Sequence, residues 1–368
     1  MRWVLGLLLV VALAIGGAFA FGLIGFGPVT SPEAGPATAT APATSPARPF
    51  DPMADAGELR PENQPETRPV MQRQVVLDRL GFSPGVIDGR EGASLSTALR
   101  GFQRANGLAE TGREDERTRA ALARWDRIPS TRTITIDAAM AAGPFVGRIP
   151  SEPEDQARLS SLGYADLAEK LAERFHTTPE TLRALNPGFA PREGARIVVP
   201  NVGGGPVNAD ASNDEKWRAT LASLGVAGNQ PRASRLVVDK SESVLMAYDD
   251  GDRLIAQFPV TTGSEHDPLP LGRWEIRQIA RNPPFHYNPD LFWDADPDDE
   301  RATIPPGPNN PVGVVWIDLS KEHYGIHGTP EPRTIGRTES HGCIRLTNWD
   351  AARLAQMLRP GVVALFQA

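Results

Sequence analysis

Ser340-His341-Gly342-Cys343-Ile344-Arg345 is the most informative segment of this chain, and Cys343 within it is the only cysteine among 368 residues. A thiol that has no intrachain disulfide partner, and that follows a histidine and a glycine, is a candidate nucleophile. A second imidazole stands upstream in Ile326-His327-Gly328, and the residues between the two segments include prolines and a glycine that favour a reversal of the chain. We therefore expect His327 to lie beside Cys343 and to take its thiol proton, leaving a reactive thiolate near neutral pH.

The two segments together resemble the signature of the L,D-transpeptidase catalytic domain (YkuD-type), in which His-Gly precedes Ser-His-Gly-Cys and then Arg or Asn one residue later. The resemblance covers residues 234–368. It implies that Cys343 is the nucleophile and that His327 is its general base. It also implies a supporting and oxyanion-binding set of residues, namely Ser340, His341, Gly342 and Gly328. Arg345 is placed to bind a substrate carboxylate, and an ion pair that braces the loop is the alternative role for this side chain.

The activity that this resemblance implies is cross-linking of peptidoglycan, with stem peptides and glycan as partners and with no cofactor. The donor is a tetrapeptide stem that is cut before its terminal D-Ala, and the acyl group passes to an amine of a neighbouring stem to form a 3–3 cross-link. If water is the acceptor, the same site is an L,D-carboxypeptidase. A non-catalytic protein that binds the cell wall is the alternative from another class. Inactivation by carbapenems is a further expectation from the family.

A metal site is the main chemical alternative to a catalytic cysteine. His323, His327, His341 and Cys343 are the residue types that suit tetrahedral zinc. On an extended strand, however, two histidines four residues apart lie roughly 13 Å from each other, which is too far for one ion. We therefore predict no metal site here and expect His323 to be a polar neighbour of the cysteine.

The charge balance excludes one class of partner. Thirty-eight basic and forty-five acidic residues give a net charge of −7. The chain contains no basic block, so we expect no nucleic-acid partner.

The amino terminus reads as a targeting element. Residues 3–27 form an apolar run without charge after Met1-Arg2, so residues 1–27 are predicted to be a cleaved signal peptide or a membrane anchor. Both alternatives place the rest of the protein in the periplasm or elsewhere outside the cytoplasmic membrane. Residues 28–69 are rich in Pro, Ala and Thr, and they are predicted to be a disordered linker.

Residues 70–127 carry apolar side chains at helical spacing around a turn-rich loop, and they predict a small helical domain. The pattern resembles the small helical peptidoglycan-binding domain. The matching positions are Gly81, Asp88-Gly89, Ala98-Leu99, Phe102-Gln103-Arg104 and Asn106-Gly107-Leu108. The resemblance implies contact with the cell wall, and a three-helix bundle that has kept its core but lost its ligand is the alternative.

A second accessory module is predicted over residues 162–202 as a helix, a capped helix and a strand, with Thr178 as N-cap and Pro179 at the first helical position. It resembles a degenerate LysM-like module, a fold associated with glycans that contain N-acetylglucosamine. A structural spacer is the alternative. Residues 128–161 are interpreted as a connecting segment with a possible strand at Thr133–Ile136, and residues 203–233 as a linker.

The fold class that follows is multidomain α+β, in which residues 234–368 form a mostly β catalytic domain, a sandwich or open barrel. Its β-branched and aromatic runs predict strands. These runs are Leu236–Asp239, Val244–Tyr248, Leu254–Thr261, Trp274–Ala280, Val312–Asp318 and Val362–Phe366. One helix is predicted after the nucleophile, from Asn348 through Leu358.

Overall fold

The computed structural model describes residues 68–204, 212–293, 296 and 298–368, all within one compact unit that spans residues 47–368. The predictions for residues 1–27 and for nearly all of 28–69 lie outside the described residues. Among the helices that are described, none is long and apolar enough to cross a membrane.

The helical domain at the start of the described chain has three helices. They are α1 (Pro69–Arg79), α2 (Ala93–Ala105) and α3 (Glu116–Leu122). Phe82 and Phe102 pack edge to face at a ring-centroid distance of 5.9 Å, and both are almost fully buried. The Gln74 side chain accepts a hydrogen bond from the Gly89 N–H, which ties the turn-rich loop back to α1. The predicted small helical domain is confirmed.

The second module begins and ends with a strand and has four helices between them. Its elements are β1 (Thr131–Thr135), the short helices α4 (Ala138–Ala141) and α5 (Pro153–Ala157), α6 (Leu167–Arg174), α7 (Pro179–Leu185) and β2 (Arg196–Pro200). β1 pairs with β2 in antiparallel register, from Thr131 opposite Pro200 to Thr135 opposite Arg196. Thr178 caps α7 by accepting the Thr181 N–H, and Pro179 is the first helical residue, as expected.

Two boundaries differ from the sequence interpretation. Strand β1 lies in residues 128–161, which we interpreted as a connection, yet it completes the sheet of the second module. The interpretation of 203–233 as a linker is wrong for its middle part, because helix α8 (Glu215–Ser223) forms there. Trp217 and Leu221 are fully buried on one face of α8 and contribute to the core of the catalytic domain. Their spacing of four residues was the overlooked signal.

The catalytic domain is built on one mixed sheet, which has eight strands among the described residues, with a separate two-stranded hairpin beside it. The strands in chain order are β3 (Arg235–Asp239), β4 (Val244–Tyr248), β5 (Leu254–Pro259), β6 (Gly272–Arg281), β7 (Phe285–Tyr287), β8 (Ala302–Ile304), β9 (Val315–Leu319), β10 (Gly325–His327), β11 (Ile344–Arg345) and β12 (Val363–Gln367). The spatial order of the large sheet is β11-β10-β9-β6-β12-β3-β4-β5, and β7 pairs with β8. Helix α9 (Asn348–Met357) follows β11 and matches the predicted helix.

The two ends of this sheet meet, which explains its curled shape. Thr261, just beyond edge strand β5, exchanges both backbone hydrogen bonds with Arg345 of the opposite edge strand β11, at 3.1 and 2.9 Å. Two residues after Thr261, Gly263 forms a parallel bridge with Ser340. The sheet is therefore a partly closed barrel, and its closure lies next to the cysteine segment.

The accessory modules pack directly against the catalytic domain. The Ser83 N–H donates to the Gln257 carbonyl of β5, and the Gln257 N–H donates to the Gly81 carbonyl, so the helical domain covers this edge strand. A Cβ at Gly101 of α2 would lie 2.6 Å from the Gln257 side chain, which shows how closely the helix approaches. A second hydrophobic core includes Phe102 of the helical domain, Phe175 of the second module and Met246 of the catalytic domain. It therefore joins these three parts of the chain.

A buried polar cluster also links the three parts. Asp78 of α1 accepts two hydrogen bonds of 2.9 Å from the guanidinium of Arg353 on α9. His176 Nδ1 of the second module lies 3.2 Å from the same carboxylate, and its ring stacks on Trp349 at 5.2 Å. Since these side chains are less than a tenth exposed, the cluster is satisfied only when all three parts are assembled.

Candidate active site

Strands β10 and β11 bring the two sequence motifs together. They pair in parallel register, with Ile326 beside Ile344 and His327 beside Arg345. Both isoleucines are fully buried in the core of the catalytic domain. Because side chains alternate along a strand, His327, Arg345 and the preceding Cys343 project from the opposite face. The structure thus places the predicted imidazole and thiol on one face of neighbouring chain segments.

The orientation of His327 is fixed by two contacts. Its Nδ1 lies 2.7 Å from the Gly328 carbonyl oxygen, and its ring stacks on Trp316 of β9 at 5.4 Å with an interplanar angle of 21°. A carbonyl oxygen only accepts, so Nδ1 carries the proton and Nε2 keeps a free lone pair. Sequence reasoning overlooked Trp316. Its position opposite His327 follows from the β9–β10 register, which local sequence patterns do not reveal.

The electrostatics keep both reactive groups neutral. Burial, together with the nearby Arg345 guanidinium, lowers the pKa of His327 to about 3. Burial also raises the pKa of the Cys343 thiol, and the Gly325 N–H and the Arg345 charge offset this only in part. Desolvation disfavours the charged form of each group, so both pKa shifts oppose the ready thiolate that we expected near neutral pH. The resting pair is a thiol and a neutral imidazole.

The loop that carries the cysteine is held by backbone and hydroxyl hydrogen bonds. The Ser340 hydroxyl donates to the Cys343 carbonyl at 2.6 Å, and the Ser340 N–H donates to the Thr262 carbonyl at 3.1 Å. Gly342 has a φ of +95°, and a Cβ there would lie 2.5 Å from a ring carbon of Tyr324. Glycine is therefore required at position 342 for both its conformation and its contact.

His341 has a different environment from that of the other residues expected to support the site. Its ring packs edge to face on Phe292 at 5.2 Å and lies 6.2 Å from Trp293. Trp293 is 61% exposed and donates from Nε1 to the Asp267 carboxylate at 2.8 Å. His341 therefore connects the cysteine loop to the exposed aromatic side chain of Trp293, a contact that we did not predict.

The environment of Arg345 bears on its two expected roles. Burial lowers the pKa of its guanidinium, and the Cys343 sulfur, when ionised, opposes this shift. Within the described part of the chain, no ion pair joins Arg345 to an acidic side chain. The loop-bracing ion pair therefore has no partner among these residues, and a cation is left facing the site.

The histidines and the cysteine do not converge on one point. His323 is exposed, lies 3.7 Å from Glu322 and adopts a φ of +65°. Its carbonyl oxygen, not its ring, approaches the Cys343 sulfur at 3.9 Å. Across the residues that the structure describes, no group of three or more His, Cys, Asp or Glu side chains is arranged to hold a metal ion.

Gly328 is in contact with a residue that sequence reasoning did not select. A Cβ at Gly328 would lie 2.3 Å from Oδ1 of Asn348, the first residue of α9. The Asn348 carboxamide therefore packs directly against the backbone that holds His327 Nδ1. Its place five residues after Cys343 gave no indication of that contact.

Comparison with protein families matches residues 233–364 to the L,D-transpeptidase catalytic domain, and residues 68–122 to a peptidoglycan binding domain. These two matches do not cover residues 162–202, so the LysM-like resemblance stays a prediction.

Known proteins with similar sequences carry the same family name. A Bacillus licheniformis protein named as the L,D-transpeptidase YkuD is 29% identical over 193 residues, which cover 52% of this chain and 88% of that protein. Its Bacillus subtilis namesake is 50% identical over 110 residues, covering 30% and 52%. A Fuscovulum blasticum protein named as an L,D-transpeptidase is 31% identical over 186 residues, covering 48% and 92%.

Among solved structures, the L,D-transpeptidase from Mycobacterium smegmatis aligns with a TM-score of 0.31 and 21% identity, over 39% of this chain and 61% of that chain. The Fuscovulum blasticum relative is matched over nearly its whole length, and the family match spans the cysteine and histidine motifs. This chain therefore belongs to the L,D-transpeptidase family and carries the catalytic domain of these acyltransferase enzymes.

Proposed function

We propose that this protein cross-links peptidoglycan by acyl transfer through Cys343. The observation that carries the proposal is the His327 ring, held by Gly328 and Trp316 with its Nε2 free, on the same sheet face as the thiol. The donor is a tetrapeptide stem, and the bond that breaks is the amide between its third residue and the terminal D-Ala. Both family matches support peptidoglycan as the substrate class.

The acylation step is a coupled proton transfer and attack. His327 Nε2 takes the thiol proton as the sulfur attacks the carbonyl carbon, because neither group is charged beforehand. The backbone N–H groups of Gly342 and Cys343 hold the oxyanion that develops. The imidazolium then donates its proton to the departing D-Ala amine, and the stem remains bound as a thioester.

The second half of the reaction regenerates the enzyme. An amine of a neighbouring stem attacks the thioester carbonyl, His327 accepts the amine proton, and the thiolate leaves and is protonated by the same imidazole. The product is a 3–3 cross-link. Arg345 binds a carboxylate of the substrate, since its guanidinium faces the site without an acidic partner among the described residues.

The compartment follows from the substrate. Peptidoglycan lies outside the cytoplasmic membrane, so the described domains act there. We propose that residues 1–27 direct the chain across that membrane, as a cleaved signal peptide or a retained anchor. The helical domain, residues 68–122 of the family match, brings the catalytic domain to the wall.

The test is to incubate the full chain with a disaccharide-tetrapeptide and to follow the products by mass spectrometry. We expect a cross-linked dimer and free D-Ala. Cys343→Ala and His327→Ala should lower the rate by several orders of magnitude, because the pair acts as a unit. His286→Ala is the matched control, since this histidine is exposed on β7 and should leave the rate unchanged.

Other outcomes have distinct meanings. Release of D-Ala without a dimer would indicate L,D-carboxypeptidase action with water as acceptor. An unchanged tetrapeptide would contradict the proposal and favour a wall-binding protein. A carbapenem is expected to add covalently at Cys343, which intact-protein mass spectrometry would detect and which Cys343→Ala should abolish.

A further inference from the structure

A buried carboxylate of the second module has no role in the reaction described above. Glu173, on α6, is 6% exposed. Its Oε2 lies 3.2 Å from the Tyr164 hydroxyl, and its Oε1 accepts a hydrogen bond of 2.9 Å from the Asn348 carboxamide. Asn348 belongs to the catalytic domain, so Glu173 reaches across the boundary between the two parts.

The Asn348 carboxamide is held at both of its ends. Nδ2 donates to the Pro308 carbonyl at 3.0 Å as well as to Glu173, while Oδ1 accepts the Val314 N–H at 3.3 Å. If the amide were rotated by half a turn, Oδ1 would face two acceptors and Nδ2 would face a donor. Glu173 thus contributes directly to fixing which end of the amide points into the catalytic domain.

The Oδ1 end of the Asn348 amide lies against Gly328, the residue whose carbonyl orients the His327 ring. A Cβ at Gly328 would be 2.3 Å from Asn348 Oδ1, and one at Gly313 would be 2.0 Å away, so the oxygen is wedged between two glycines. The Gly328 carbonyl is the acceptor for His327 Nδ1 at 2.7 Å. A continuous set of contacts therefore runs from Glu173 through Asn348 and Gly328 to His327.

We propose that Glu173 is a positioning residue for catalysis, which holds Asn348 so that the Gly328 carbonyl keeps His327 in its reactive tautomer and orientation. The proposal rests on the proposed function only for the identity of the reaction, since the geometry concerns the histidine itself. It makes the second module part of the catalytic apparatus as well as a neighbour of it. A catalytic domain without this module would lack the acceptor that Glu173 supplies.

The ionisation of Glu173 is compatible with this role. Burial raises its pKa to about 8, against the opposing effect of the Asn348 hydrogen bond. The carboxyl group is therefore mostly neutral at pH 7, and a glutamine is its close chemical mimic. Glu173→Gln keeps an oxygen for Asn348, whereas Glu173→Met keeps a similar length but offers no comparable acceptor.

The test compares these two variants in the full chain by two readouts. The first is the rate at which iodoacetamide alkylates Cys343 at pH 7, which needs no peptidoglycan and depends on proton transfer to His327. The second is kcat and KM for release of D-Ala. Tyr164→Phe is the matched control, because it removes the other contact of Glu173 and leaves the one to Asn348.

We expect Glu173→Met to lower kcat by about ten- to a hundredfold, the effect of a small misplacement of a catalytic group, while KM changes less than about twofold. Its alkylation rate should fall toward that of His327→Ala. Glu173→Gln and Tyr164→Phe should retain rates within about threefold of the parent, as one neutral hydrogen bond is modest. If Glu173→Met does not fold, Glu173→Ala replaces it with the same expectation.

The role is overturned if a folded Glu173→Met or Glu173→Ala keeps the parental kcat and alkylation rate. It is also overturned if Glu173→Gln is as impaired as Glu173→Met, because the acceptor would then be irrelevant. If the parent chain releases no D-Ala at all, the proposed function fails, and the alkylation rates alone decide the positioning role.

Discussion

The buried cluster that joins the three parts makes a quantitative prediction for Arg353→Met. Arg353 donates to both carboxylate oxygens of Asp78 at 2.9 Å, and the two side chains are 8% and 0% exposed. Removing one partner of such a pair leaves an uncompensated buried charge, which typically costs about 3–5 kcal/mol of unfolding free energy. Methionine keeps the apolar stem of the side chain, so most of the loss should be electrostatic.

The pH dependence distinguishes that charge effect from lost packing. In the parent, the pKa of Asp78 is well below its ordinary value because the Arg353 and His176 contacts outweigh burial. Its stabilising contribution is therefore present above the unfolded-state pKa and is lost only as the pH falls below about 4. In Arg353→Met only the His176 contact still opposes burial, so we expect the folded-state pKa of Asp78 to rise.

The size of the pH effect on the unfolding free energy follows from this change in the direction of the Asp78 pKa shift. The folded variant keeps a proton on Asp78 that the unfolded chain releases above about pH 4, so its stability falls as the pH rises through that window. Each pH unit is worth about 1.4 kcal/mol, which amounts to about 4 kcal/mol between pH 4 and pH 7. Asp350, 3.8 Å from the same guanidinium and with a pKa raised by burial to about 6, shifts in the same direction. The unfolding free energy of Arg353→Met is lower than that of the parent, and this difference should be smaller at pH 4 than at pH 7 by up to about 4 kcal/mol.

The assay is urea denaturation of the full chain, followed by tryptophan fluorescence at both pH values. Arg359→Met is the matched control because Arg359 is exposed, and it should change the unfolding free energy by less than about 0.5 kcal/mol. The double variant Asp78→Asn, Arg353→Met should recover most of the deficit at pH 7. An equal deficit at both pH values, or a double variant as unstable as the single one, would refute the charge argument.

Three further predictions concern the active site and the module beside it. The rate of alkylation of Cys343 should rise with pH through an apparent pKa above that of an ordinary thiol, near 8.5, whereas a plateau from acidic pH would indicate a thiolate–imidazolium pair. Gly325→Ala should lower D-Ala release by at least about tenfold, because the new methyl would lie 2.5 Å from the Trp316 ring and displace its stack on the catalytic imidazole. Gly251→Ala, at an exposed turn, is the control, and equal rates would contradict the reasoning. Glu173→Gln should raise the unfolding free energy at pH 8–9 relative to the parent but not at pH 4. The raised pKa of the parental carboxyl makes folding less favourable as the pH rises, and urea denaturation at the two extremes checks this.

The accessory modules pack on the catalytic domain and so contribute to its structure. Sequence interpretation treated them as units joined by linkers, yet α2 covers the edge strand β5 through Gln257, and Glu173 accepts a hydrogen bond from Asn348 at the start of α9. An edge strand that is covered in this way is protected from pairing with other chains. The modules therefore bear on the integrity of the catalytic domain, in addition to any contact with the cell wall.

Local sequence patterns were sufficient to predict most of the helices and strands. β3, β4 and β5 were predicted to within two residues at either end, and α9 to within one, because their apolar residues recur with the period of each element. β10 and β11 were not predicted as strands, since they have only three and two residues. Such short strands exist because neighbouring segments supply their hydrogen bonds. The α8 error shows the opposite failure, in which we interpreted residues 203–233 as a linker and overlooked a real helical period.

The sequence by itself determined the chemistry, because a lone cysteine, an upstream His-Gly and their shared motif require no knowledge of distant contacts. Only the tertiary structure decided the protonation and the orientation of the reactive groups. Desolvation makes the thiol and imidazole neutral, and the Gly328 carbonyl selects the tautomer of His327. It also decided that Glu173 meets Asn348, which lies 175 residues away in the chain. Periodicity encodes which face of an element is apolar, whereas burial and contacts between distant residues arise only when those faces pack together.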